Sequence, residues 1–449
     1  MSDRKWVGQV SLAQAIVTML AVAGSVLALT STPALAGPFG SVTEFTTGLR
    51  PAAIPMEIVP GADGNVWFSV QQCAVSFTLG PAPCPAVGRI TPSGVISEFH
   101  LPGSSPNPRP IGLVLGPDGN IWFLGEHETM SRITPSGAVM EFPGPWGSPL
   151  AVGPDGNIWF PTNMGLPGGL FVGVGRMTTT GTFLGTFPLH PEIPGTAPTI
   201  FQMVTGHDGN LWMASNREIF RMTPGGTDTF FNGRPGRVIA PIGITSGPDG
   251  NIWFTDQACT QGSIPKTLGT TACAIGRITP AGEITEFTAG LAPNAVPSAI
   301  TTGPDGNLWF TDRRCTSSAA HPACMIGRIT PAGVITESSE GLSPGSLPWA
   351  IASGPDGHIW FTNLACSEFR GQCAIGRIST TGALGASFKV PKLTGKSLAA
   401  AKKLLARAHL KLGKVKVARH HKHHLRVVSQ SVKPGTTRRS GTKVNLQLG

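Results

Sequence analysis

Eight residues, GPDGNIWF, stand at 247–254, and with one near-identical string after another they recur along most of this chain. Positions 153–160, 116–123 and 303–310 repeat them almost letter for letter. The copies at 61–68, 206–213 and 354–361 are worn but keep the Asp-Gly and the Trp. A second string, Arg-Ile-Thr or a close variant, follows every copy, starting at Arg89, Arg132, Arg176, Arg221, Arg277, Arg328 and Arg377. Two motifs recurring seven times in step define a repeat protein.

One repeat reads as four short strands. Gly-Pro-Asp-Gly is turn chemistry: proline pre-sets the first central residue, aspartate suits the second, and glycine takes the left-handed conformation. The Asn-Ile-Trp-Phe-Thr that follows is β-branched and aromatic, hence strand, with large apolar groups on both faces. A sheet apolar on both faces lies between other sheets. Arg-Ile-Thr leads into a second turn, Thr279-Pro280-Ala281-Gly282 in the fifth repeat, and a strand at 283–287. Residues 241–245 supply a strand before the first turn. The motif aspartates lie 37 to 56 residues apart, room for four strands and loops of varying length. These features predict an all-β, seven-bladed β-propeller of four-stranded antiparallel blades. Residues 42–45 form an orphan outer strand that can complete the last blade; residues 383–388 compete for that place.

Residues 1–36 form an export signal: Arg4 and Lys5, an apolar run to Leu29, then Ala34-Leu35-Ala36 as a cleavage site. All eight cysteines obey one rule. Cys73, Cys259, Cys315 and Cys366 sit six residues after a motif tryptophan, and Cys84, Cys273, Cys324 and Cys373 sit four or five before an Arg-Ile string. Each pair brackets the loop between the second and third strands of blades one, five, six and seven. That predicts bridges Cys73–Cys84, Cys259–Cys273, Cys315–Cys324 and Cys366–Cys373, formed in an oxidising compartment. The varying separations, with no Cys-x-x-Cys, argue against zinc.

Composition breaks near Phe388. Residues 37–388 carry 16 Lys and Arg against 23 Asp and Glu; residues 389–449 carry 16 Lys and Arg and no acid. The domains are therefore 37–388 and 389–449. In the second, Leu398, Ala401, Leu405 and Ala408 have helical spacing after Ser397 as cap, with Gly413 as the stop. Strands are expected at 415–418, 426–429 and 443–448.

The Trp-Phe and Gly-Arg-Ile-Thr repeats over 41–388 resemble the virginiamycin B lyase (streptogramin lyase) family of seven-bladed propellers. That resemblance implies a magnesium-dependent elimination that linearises a cyclic depsipeptide antibiotic. It also implies histidines directly after the proline that opens the innermost strand of the last two blades. Ser298 and Trp349 occupy those places here, and Met56, Ile111, Leu150 and Ile242 occupy the slot in other blades. The family's metal-binding carboxylate is replaced by Asn363. Neither serine nor tryptophan serves as the base an elimination needs. No catalytic residue and no cofactor are therefore expected, magnesium entering only if lyase chemistry persists.

The tail resembles a PASTA domain, a small α+β module of Gram-positive penicillin-binding proteins and kinases associated with muropeptide or cell-wall material. The resemblance rests on Val390-Pro391-x-Leu393-x-Gly395-x-Ser397-Leu398, Val428-Ser429-Gln430-Ser431-x-x-Pro434-Gly435 and Ser440-Gly441-x-x-Val444. This copy departs in lacking acids and in the run Arg419-His420-His421-Lys422-His423-His424, which reads as a solvated loop rather than a metal site.

The expected protein is thus secreted and cell-wall associated in a Gram-positive type bacterium. Peptidoglycan or an anionic wall polymer is the expected partner, met by Lys392, Lys396, Lys402, Lys403, Arg407, Arg419, Lys422 and Arg426. Nucleic acid is not expected for an exported chain. Asp256, Asp312 and Asn363, with Ser298 and Trp349, are candidate ligand-binding residues of the propeller. The first three read either as a polar site at one mouth of the ring or as caps on strand-end loops. The alternative function is a carbon–oxygen lyase or other eliminating or hydrolytic enzyme acting on a cyclic peptide or wall component.

Overall fold

The computed structural model describes residues 36–449 apart from 38, 51–52, 72–86, 101–109, 126–128, 145–146, 167–168, 191–197, 235–236, 261–272, 315–323, 366–372, 381–386, 409, 418–424 and 440–442. Residues 1–35 of the expected export signal, Cys73, Cys84, Cys315, Cys366, Arg419, Lys422 and the histidine run lie outside the described residues.

Six antiparallel four-stranded sheets, each made from its own repeat, and a closing sheet to which the N-terminal Ala36–Gly37 adds a fifth strand follow one another. Blade five shows why the motifs recur. Its strands are Pro241–Ser246, Ile252–Asp256, Ala274–Ile278 and Ile284–Phe287, in that order from the ring axis outward. Gly250 turns the first corner at φ 84°, where a side chain is disfavoured. Asp249 then accepts from the Asn251 amide at 3.2 Å and from the Trp253 indole at 3.0 Å, fixing the turn and the ring together. The Arg277 guanidinium lies over both Trp253 and Phe287, 5.6 and 5.5 Å from their centroids. It also donates to the Pro331 carbonyl of the next blade at 3.3 Å. The second motif is therefore an inter-blade tie, repeated as Arg89 to Pro135 and Arg221 to Pro280.

Every residue of Ile252–Asp256 is buried, because blades cover both faces of the strand. Core clusters accordingly span neighbouring blades: Trp212 packs with Ile244 and Phe254. All seven motif tryptophans are essentially inaccessible. Each buries roughly 150–250 Å², which at about 25 cal/mol/Å² favours folding by about 4–6 kcal/mol before entropy is charged.

The N-terminal strand closes the ring. Gly40–Phe45 pairs with Ala374–Ile378 of blade seven, while the stretch 387–389 forms the strand Ser387–Lys389, which pairs with Thr437–Arg439. Phe45 stacks on Trp360 at 5.7 Å, as Phe287 does on Trp253, and Trp360 shares a core with Ile58 and Phe68 of blade one. Innermost strands contact their neighbours all the way round. Blade six has Ser338 where other blades carry the stacking phenylalanine; Phe39 fills the gap, 5.1 Å from Trp309.

Cys259–Cys273 is bonded as the spacing predicts. Cys324 and Cys373 are also disulfide-bonded; their expected partners, Cys315 and Cys366, are outside the described residues. Blade three lacks cysteines and extends the same hairpin as two nine-residue strands, Ile158–Leu166 and Gly169–Met177.

The tail has its own core of Val390, Leu393, Ala401, Leu405, Leu410, Val427, Val444, Leu446 and Leu448. Helix Leu398–Arg407 is capped by Ser397, whose hydroxyl accepts from the Ala400 amide at 3.3 Å. Gly413 does not end that helix. The helix stops at Ala408, and Gly413 lies inside strand Lys411–Val417, at a register shift where a Cβ would meet Asn445. That strand pairs in parallel with Lys443–Leu448, which Val427–Gln430 joins antiparallel.

Candidate functional site

The innermost strands begin at one end of the ring, and the residue after each opening proline marks that mouth. Ser298 is nearly buried, and its carbonyl accepts the Thr255 hydroxyl of blade five at 2.6 Å. The Trp349 carbonyl receives Thr311 at 3.1 Å, and the Met56 carbonyl receives Thr362 at 2.9 Å. These threonines tie each blade to the next. The Trp349 ring packs against the cluster of Cys324, Leu347 and Leu364, and the Arg313 guanidinium lies 3.6 Å from its centroid. Ile111 and Phe201 hold the same slot in blades two and four and are exposed. The mouth is thus rimmed by apolar side chains, with one cation stacked on the indole. None of these groups takes a proton near neutral pH.

Asp256, Asp312 and Asn363 are 0%, 0% and 1% exposed and do a common job. Asp256 Oδ1 accepts from the amides of Ala240 and Ala258 at 2.8 and 3.0 Å. Asp312 Oδ1 accepts from Val296 and Arg314 at 2.7 and 3.0 Å, and Asn363 Oδ1 from Leu347 and Ala365 at 2.8 and 3.2 Å. Each joins the loop before an innermost strand to the turn after the second strand. The structure therefore does not bring them together with Ser298 and Trp349 into one open pocket; it spends them on loop amides.

Asn363 does not fit a magnesium ligand. Its oxygen already holds two amides, and its Nδ2 donates to Glu44 and Ser346 at 3.0 and 2.9 Å. Among the described residues no group of three or more His, Cys, Asp or Glu is placed to hold a metal.

Two cavities accompany these residues. One of about 380 Å³ occupies the bore, lined by innermost strands of six blades. Glu57 lines it, a residue that sequence reading passed over; its carboxylate accepts the amides of Gly112 and Leu113 at 3.0 and 2.6 Å. Enclosure raises its pKa despite those bonds. A polar residue inside the otherwise apolar 55–60 strand was the available signal. The second cavity, about 420 Å³, lies beside the Cys259–Cys273 bridge and the segment 291–296.

On the tail, Lys392, Lys396, Lys402, Lys403, Arg407 and Arg426 are all exposed, as are Lys411, Lys414, Lys416, Lys433 and Lys443. Arg426 donates to the Gly395 carbonyl at 2.9 Å. With no acid in 389–449, these cations have no carboxylate side chain of their own domain to pair with.

The molecule is thus a seven-bladed propeller followed by a small α+β domain with a cationic surface. The chain belongs to the virginiamycin B lyase family, whose model matches residues 38–189 and 172–403. The C-terminal region matches the PASTA domain over residues 388–449. Among solved structures, a streptogramin B lyase is 29% identical, with 75% of this chain and 97% of that one covered and a TM-score of 0.55. A catalytically inactive histidine-to-alanine form of virginiamycin B lyase from Staphylococcus aureus, solved with quinupristin, is 28% identical. It covers 76% of this chain and 99% of its own, at a TM-score of 0.54. YCF48 bound to D1 peptide, 14% identical, covers 77% of this chain and 96% of its own at a TM-score of 0.50, and shares the fold alone. A search of the curated proteins gave no match.

Proposed function

We propose that this is an exported cell-envelope binding protein, a propeller platform held on peptidoglycan or anionic wall polymer by its basic PASTA domain. The observation that carries the reading is the division of charge: eleven exposed cations are described on a domain without one acidic residue. Such a surface draws anionic polymer from a distance. The propeller, with acids in excess, has no such attraction. Export is supported by the leader-like sequence at 1–36 and by the bonded cysteines.

Membership of a lyase family favours a second reading, an eliminating enzyme on a cyclic peptide. Against it stand Ser298, Trp349 and Asn363, none of which supplies a base or a free metal ligand. The relative inactivated by loss of one histidine gives that argument weight.

The test is retention on intact sacculi by the full chain, by a chain ending at residue 388, and by a full chain with Lys402, Lys403 and Arg407 changed to Gln. Strong retention of the first, loss for the second and partial loss for the third are expected. Equal retention of the truncated propeller overturns the reading. Magnesium-dependent opening of virginiamycin B above a boiled control would establish the enzyme instead.

A further inference from the structure

The same loop anchor is built three times, with one chemical difference. In blades five, six and seven a glutamate on the outermost strand stands opposite the glycine of Gly-Arg-Ile: Glu286 opposite Gly276, Glu337 opposite Gly327, Glu44 opposite Gly376. Each reaches the buried residue at the end of the second strand. Glu286 stands toward Asp256 and Glu337 toward Asp312, carboxyl facing carboxyl, with Oε1 of each glutamate and Oδ2 of each aspartate enclosed. Glu44 instead accepts from the Asn363 amide at 3.0 Å. An amide brings its own N–H; a buried carboxyl facing a half-buried one favours a proton held between them.

Those two pairs hold the walls of the 420 Å³ cavity. Asp256 fixes Ala258, one residue before Cys259 and two before Thr260, which line one side. Glu337 accepts from the Ala292 amide and Asp312 from Val296, and both of these residues line the other side. The ionisable groups acting on the blade six pair are the two carboxyls and Arg314, whose Nε is 3.9 Å from Asp312 Oδ2. In blade five Asp256 and Glu286 act on each other.

We propose that the cavity between blades five and six is walled by proton-dependent latches: loss of the blade six proton releases segment 288–296, loss of the blade five proton frees the turn at 258–260, and the matching loop of blade seven stays shut. Burial and the adjacent carboxyl push Asp256 up to about 7 and Glu337 up to about 7, so the switch falls at neutral pH. A released pair exposed to water titrates near the ordinary carboxyl value of about 4. Between about 4 and 7 the fastened form holds the extra proton, so opening becomes easier by up to about tenfold per pH unit, then levels off.

Hydrogen exchange on the full chain, corrected for intrinsic rates, reads this directly. Protection at 289–296 is expected to fall on the order of tenfold per pH unit from pH 5 to 7, with protection at 342–347 unchanged. Asp312→Asn, which installs the blade seven solution, is expected to flatten the response of 289–296. Should that variant fail to fold, Asn363→Asp is the reciprocal test, and it should import the response into 342–347. Parallel pH profiles for both segments in the unaltered chain would overturn the proposal, as would a response that survives Asp312→Asn or fails to appear with Asn363→Asp.

Discussion

The propeller and the tail reach a stable fold by opposite routes. The propeller spreads its core over seven interfaces, each carrying the same tryptophan, aspartate, arginine and, in most blades, phenylalanine. The tail has one core of nine buried residues and no second interface to share the load. A repeated fold tolerates change at any one mouth position, because no single slot residue holds the ring together. Ser298, Trp349 and Asn363 illustrate this: all three depart from the residues that the lyase resemblance implies, yet their backbone ties and loop anchors are intact. The tail tolerates change only on its surface, where eleven exposed cations are described in a domain without an acid.

The largest expected effect comes from breaking the smaller core. Leu405→Asp puts a carboxylate into a site 1% exposed, with no partner for it. The tail should unfold outright and wall retention should vanish, while tryptophan fluorescence of the propeller stays native. All ten tryptophans lie before residue 389, nine of them within 37–388, so that signal reports nothing from the tail. Loss of the native tryptophan signal would show that the two regions are not separate.

Trp253→Ala removes one of seven equivalent anchors and should cost about 3–5 kcal/mol by denaturant titration. The remaining six interfaces should keep the ring folded at room temperature. Complete unfolding would mean that the repeats share the load less evenly than their geometry implies.

Acid–base behaviour separates the regions further. The propeller's shared-proton pairs have folded pKa values raised above the unfolded ones, so it binds more protons folded than unfolded between about pH 4 and 7. Its stability should therefore fall as pH rises through that window, by up to about 1.4 kcal/mol per pH unit per pair, and flatten above it. The tail has no carboxyl side chain to contribute. A propeller whose denaturation midpoint is flat from pH 5 to 7, or rises, contradicts the shared-proton assignment.

These pairs mark where sequence reading stopped. Repeat number, turn chemistry, strand order and the Cys259–Cys273 bridge were legible because each depends on neighbours close in sequence. Asp256 and Glu286 are thirty residues apart and meet only through sheet register, so neither motif announced the other. The closing strand was legible in principle: Val42-Thr43-Glu44-Phe45 repeats the Ile-Thr-Glu-Phe of blade five, glutamate and phenylalanine included. Gly413 misled because glycine both ends helices and relieves crowding in strands, and here Asn445 crowds it. Cysteine placement gave the bridge of blade five but nothing for blade three, where nine paired residues per strand hold a long hairpin without a bridge.

The smallest effect tests whether the tail answers independently. Its helix has ten residues, too few to persist alone in water, so packing and the cap must sustain it. Ser397 is exposed and its cap bond is long, 3.3 Å, which puts Ser397→Ala at about 0.5–1 kcal/mol. Ser397→Asp should recover that loss, since an anion at a helix N-terminus is favoured and the surrounding domain is wholly cationic. Among the described residues the α-helix belongs to the tail, so ellipticity at helical wavelengths follows the tail while tryptophan emission follows the propeller. The alanine variant should lower the helical midpoint and leave the tryptophan midpoint where it was. An equal shift in both signals would mean that one cooperative unit spans the two regions, and the contrast between a distributed core and a concentrated one would no longer describe how this chain unfolds.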